Sequence, residues 1–188
     1  MDIYTFHVSR IKSSAKPFII ENGDMKKIAT IQRIYSNFIV HFLDFILRDL
    51  TSMVRVRPLW SQFFMQFIKV NLEILWEDKK FLLLQDKDGI WSIIEEGNTV
   101  GKIVGKGRFN IDKNGSKEIV LKEKSFILST NELGPDVNVF NSSGKVVGTF
   151  KSDLYHLKEG KYSLVVMEDS IPIPVIIGAY YINNYIPY

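Results

Sequence analysis

The chain has 188 residues, 46% of them hydrophobic and 24% charged, with a formal net charge of +3 and no cysteine. That is the balance of a globular protein large enough for one sizeable core, and it excludes disulfides and thiolate metal sites. So small a positive charge does not imply a nucleic-acid partner, and no stacking motif for one is present.

The first residues carry no basic segment followed by an apolar one, so no secretory signal is expected and a cytoplasmic location is. No apolar run reaches the ~18 uninterrupted residues of a spanning helix, so no transmembrane span is predicted. Residues 3–9 alternate weakly and predict a first strand. Residues 17–31 read as a hairpin about Asn22-Gly23, a pair suited to a two-residue turn in which both positions take positive φ.

Residues 34–50 change period. Asn37, His41, Asp44 and Arg48 fall at steps of four, three and four, so on a helix they form one narrow stripe. Nearly everything else there is apolar, which predicts a second helix with a broad apolar face. Asp44 and Arg48 lie one turn apart and can pair, worth about 0.3 kcal/mol at a surface.

Residues 54–57 alternate as a short strand, and 59–67 read as helix or loop. Residues 68–74 alternate strictly and predict a half-buried strand. A meander follows, with strands over 81–84, 91–94, 100–104, 108–111, 118–122, 125–130, 137–140, 146–150 and 162–167. Most are separated by turns containing glycine, the mark of a barrel or sandwich.

Residues 171–182 hold no charged side chain, and their only hydrogen-bonding side chains are two tyrosine hydroxyls. Asp169-Ser170 before Pro172 and Pro174 reads as a helix start, with proline in the first turn. A helix apolar on every side must be wrapped by other structure. The prediction is a mainly β fold: a closed antiparallel barrel of about twelve strands around a buried apolar C-terminal helix at 170–184, plus one further apolar helix near 34–50. The 188 residues form one domain, with 34–67 as a helical insertion.

Four features carry a resemblance. They are the hairpin of residues 18–31, the 91–104 unit with its Val-Gly-x-Ile, the 137–148 unit, and Tyr162-Ser-Leu-Val-Val before a proline-opened apolar tail. In this order the chain resembles the tubby C-terminal-like superfamily, which includes phospholipid scramblases, LURP-one-related proteins and small bacterial members. The resemblance implies a barrel of roughly twelve strands around a buried C-terminal helix, over about residues 4–34 and 68–186. It implies no chemistry, because its motifs are hairpin and packing motifs. The basic phosphoinositide motif of the tubby proteins has no residue-by-residue match here. The calcium-binding acidic segment and cysteine-rich stretch of animal scramblases are also missing.

The remaining motifs are weak. Gly101 to Gly107 has the wrong spacing for a phosphate loop, and Gly107 stands where Ser or Thr should hold magnesium. His7, His41 and His156 lack metal spacing, and neither Asp86 nor Asp112 opens a complete calcium loop. No catalytic residue, metal or cofactor is assigned.

Residues 25–72 contain seven basic and two acidic residues, +5 in a chain of +3, interleaved with aromatics. Such a segment suits an anionic lipid surface, or a protein partner, with Arg48, Arg55, Arg57, Trp60, Phe63 and Phe64 as contacts. The alternative is that the aromatics pack on the barrel and the arginines form a solvated rim. His41, Asp44 and Arg48 are a candidate polar cluster. The functional expectation is a non-catalytic binding or scaffold module, peripheral to a membrane or bound to a protein, working through 34–67. The alternative function is a small-molecule-binding protein or enzyme with a site at the barrel rim.

Overall fold

The computed structural model describes residues 2–7, 16–46, 69–86, 89–105, 116–122, 124–130, 136–152, 161–168 and 170–185. The expected strands at 54–57 and 108–111, and the segment 59–67, lie outside the described residues.

Twelve strands form one closed barrel in which chain neighbours pair antiparallel. They are β1 (Asp2–His7), β2 (Phe18–Asn22), β3 (Lys27–Ile34), β4 (Asn71–Trp76), β5 (Lys79–Gln85) and β6 (Ile90–Glu95), then β7 (Asn98–Gly105), β8 (Lys117–Leu121), β9 (Lys124–Thr130), β10 (Val137–Asn141), β11 (Val146–Ser152) and β12 (Lys161–Val166). β1 closes the ring against β12, with Asp2 opposite Val166 and His7 opposite Lys161. Closure leaves no unpaired strand edge, which explains why so many short strands suffice. The Gly101 to Gly107 pattern is strand rather than loop as far as Gly105, which ends β7.

Among the described residues two helices accompany the barrel: α1 (Phe38–Asp44) and α2 (Ile173–Tyr185). α2 is the core. Val175, Ile176, Ile177, Ala179, Tyr180, Tyr181 and Ile182 are all at most 6% exposed. They meet the inward residues of the strands, such as Leu72, Ile74, Leu83, Trp91 and Ile119. Each large aliphatic side chain buried this way contributes about 1.5–3 kcal/mol. Phe6 and Phe150 pack edge-on and stacked against Tyr180, at 5.9 and 4.0 Å between ring centroids.

The barrel has unlike ends. Tight turns after β2, β4, β6, β8 and β10 gather at the pole where α2 begins. The connections after β3, β7, β9 and β11 gather at the other pole and are longer. α1 belongs to that second pole, since it follows β3.

The Asn22 hairpin forms, but not with the expected turn. The loop is longer than two residues, and Met25, not Asn22 or Gly23, takes positive φ, at 59°. The Asn22 side chain organises it, accepting from the N–H groups of Asp24 (3.1 Å) and Lys26 (3.0 Å). Asn141 does the same for Ser143 and Lys145, with Gly144 at φ 77°. An Asn side chain that mimics a backbone turn explains both loops.

Candidate functional site

The second predicted helix exists, and it begins later than expected. Residue 34 still belongs to β3, and the helix runs Phe38–Asp44, continuing in wider turns through Ile46. Asn37 is not part of a helical stripe. It is the N-cap, extended at φ −162°, and its side chain accepts from Val40 N–H at 2.9 Å. Asn is among the best residues for that role because its oxygen satisfies an otherwise orphaned amide.

Of the stripe residues, Asp44 faces the barrel and His41 is half-buried, while Asn37 is exposed. Asp44 is 0% exposed, although it was expected at a helix surface beside Arg48. Its carboxylate meets Arg33 instead, with Arg33 Nη1 donating to Oδ2 at 3.2 Å. Tyr35 OH donates to the same oxygen at 2.7 Å. Arg33 Nη1 also reaches Tyr35 OH at 3.4 Å, and Arg33 Nε donates to Tyr181 OH at 2.7 Å. The guanidinium carbon lies 5.2 Å from the centre of the Tyr181 ring. Four side chains from β3, its exit, α1 and α2 therefore share one buried network.

Burial by itself would lower the Arg33 pKa. The surrounding Tyr181, Tyr35 and Asp44 more than offset that and leave it above its ordinary value. Burial, helped by the charge of Asp44 and opposed by Arg33, holds the Tyr35 hydroxyl well above the usual tyrosine range. The network thus joins a buried ion pair to a Tyr35 hydroxyl that keeps its proton, suited to positioning rather than to proton transfer. His41 stands at its margin, its ring stacked on Tyr35 at 4.6 Å.

The same docking turns the apolar side of α1 outward. Phe38 is 77% exposed, Ile39 67%, Phe42 51%, Leu43 43% and Phe45 36%. Phe38 and Phe42 stack on one another, 6.3 Å between centroids, over the outer surface. Only Val40 joins the barrel side as a partly buried apolar contact. The alternative, in which the aromatics of this helix pack on the barrel, does not hold for Phe38 and Phe42.

Of the predicted site residues, His41 and Asp44 come together with Tyr35, which links them. Arg48, Arg55, Arg57, Trp60, Phe63 and Phe64 lie outside the described residues. Arg33, Tyr35 and Tyr181 were missed. A signal for Arg33 was present: in the alternating strand Lys27–Ile34 it shares a face with Ala29 and Ile31, both buried. A charge on the core face of a strand requires a buried partner.

Among the described residues no three His, Asp or Glu side chains come together as a metal site. None of the described helices is long and apolar enough to cross a membrane.

No curated protein matches this chain. A solved X-ray structure of a protein from Arabidopsis thaliana is similar at 12% sequence identity and a TM-score of 0.49, covering 98% of this chain and 91% of that one. The family model described as Tubby C-terminal like domain matches residues 4–186. With nearly its whole length matched, this chain belongs to the Tubby C-terminal like domain family.

Proposed function

We propose that this domain is a non-catalytic binding module that contacts an anionic membrane surface through α1 and the basic, aromatic residues that follow it. The observation that carries this reading is the outward apolar face of α1, held in place by the buried Arg33–Asp44 pair. Exposed aromatic and aliphatic side chains on one face of a short helix suit the headgroup boundary of a bilayer. The charge of the segment selects the occupant. Arg33 and Asp44 neutralise one another, which leaves Lys26, Lys27, Arg48, Arg55, Arg57 and Lys69 against Asp49 alone. Each basic residue near an anionic surface adds about 1 kcal/mol. Arg48, Arg55, Arg57, Trp60, Phe63 and Phe64 are assigned to this contact on sequence.

Cosedimentation with phosphatidylcholine vesicles, with and without phosphatidylserine, tests it. Binding should require the anionic lipid and weaken with salt. Arg55→Glu with Arg57→Glu should reduce it by on the order of tenfold or more. Phe38→Ser with Phe42→Ser should reduce it with an unchanged melting curve, because both rings are exposed. No binding, or equal binding to neutral vesicles, would overturn the lipid reading and leave a protein partner as the occupant of that face.

A further inference from the structure

At the pole where α2 begins, a cavity of about 430 Å³ opens between the helix start and the ends of β5 to β9. Pockets of roughly 300–1,000 Å³ are the usual size for small-molecule sites. Phe81 and Val175, both nearly inaccessible to solvent, and Leu121 give it apolar walls. Lys122 and Lys124 line it from the exposed β8–β9 turn, and among the described residues neither enters an ion pair. Glu95 also lines it, but its carboxylate already accepts from Lys79 Nζ at 3.3 Å. Ser170 contributes a hydroxyl oxygen that is shielded from solvent and has no hydrogen-bond partner.

A buried hydroxyl without a partner is uncommon in folded proteins and points to a group that completes it. The available charge around it is positive. Two lysines face the cavity, and the positive end of the α2 dipole lies at its edge. Pro172 and Pro174 remove two of the amides that a helix start would otherwise offer, so the polar recognition falls to side chains.

We propose that this cavity binds a small amphiphilic anion, an aliphatic carboxylate. Its chain lies on Phe81, Leu121 and Val175, and its head meets the Ser170 hydroxyl and the ammonium groups of Lys122 and Lys124. The site is at the opposite pole from α1, so it is independent of the membrane contact.

Titration of the full-length, 15N-labelled chain with octanoate, octylamine and octanol tests this. Octanoate should shift the amides of Leu121 and Val175 saturably, and octylamine should bind about tenfold or more weakly. Lys122→Glu with Lys124→Glu should weaken octanoate by at least about tenfold without changing the melting curve, since both side chains are exposed. Ser170→Ala should weaken it in the same direction. The Phe38→Ser, Phe42→Ser variant should bind octanoate as the parent does. Absence of a saturable shift, equal binding of octylamine, or full binding by the charge-reversed variant would overturn the proposal.

Discussion

Arg33 and Asp44 meet at 3.2 Å with their side chains 1% and 0% exposed, so the strand before α1 and the last turn of α1 are joined by a desolvated ion pair. Tyr181 extends the link to the central helix. Such a pair adds little over well-packed apolar residues, but removing one partner strands the other charge, at about 3–5 kcal/mol. Asp44→Leu and Arg33→Met should each lower stability by about 3 kcal/mol. The double variant Arg33→Met, Asp44→Leu should recover most of that loss. Urea midpoints of the four proteins measure it, and strictly additive losses would show that the pair is not coupled. In Asp44→Leu, amide exchange should also rise first in α1, because among the described residues that helix has few other contacts with the barrel.

Barrel and central helix were legible because each rests on a local pattern. Alternation and glycine turns mark the strands, and an unbroken apolar run after Pro172 marks α2. The orientation of α1 was not legible. Its pattern of a narrow polar stripe and a broad apolar face normally means apolar side in. Here the polar side faces inward, because Asp44 completes a charge that β3 had already buried 11 residues earlier. Only a register that places Arg33 beside Ala29 and Ile31 reveals this, and the long-range partner Tyr181 lies 148 residues away. The turn at Asn22 was legible as a turn but not in its geometry. A side-chain oxygen holding two amides allowed Met25 into a conformation that favours glycine.

Gly178 lies where α2 packs tightly against the barrel wall. A Cβ there would fall on Leu83 Cδ1 and 3.0 Å from Ile74 Cδ1, both in the core. Alanine would gain about 1 kcal/mol of helix propensity against a single displaced methyl. Valine adds two more methyls to a filled space. Gly178→Val should therefore destabilise by about 2–3 kcal/mol, the usual scale of overpacking. A thermal melt equal to the parent's would show that the helix has room to shift.

Met25 is 82% exposed and holds φ at 59°, while Gly144 has φ 77° in the equivalent loop. A left-handed conformation costs a side-chain-bearing residue about 1–2 kcal/mol. Glycine removes that cost and loses about 0.4–1 kcal/mol to unfolded-state entropy. Met25→Gly should thus stabilise by up to about 1.5 kcal/mol, read as a higher urea midpoint at unchanged slope. A lower midpoint would mean that the Asn22 hydrogen bonds, not the φ angle, dominate this turn.

Lys117 gives the fold a pH dependence of definite sign. It is 7% exposed on the inward face of β8, and burial lowers its pKa from 10.5 to about 8. The Trp91 ring, 5.8 Å from Nζ, is near the limit of useful attraction and offsets little of this. Between pH 8 and 10 the unfolded chain holds this proton more tightly than the native one, so stability rises with pH, by about 2 kcal/mol from pH 7 to 10. Above about pH 10 the trend reverses, because unfolded tyrosines ionise while burial keeps Tyr35 and Tyr180 protonated. The optimum should therefore lie near pH 9–10, above the range common for proteins. Lys117→Met should remove the rising limb and be more stable than the parent at pH 7, the two curves converging as pH approaches 10. Denaturant midpoints of both proteins across this range measure it, and parallel curves would show that Lys117 keeps an ordinary pKa in the folded state.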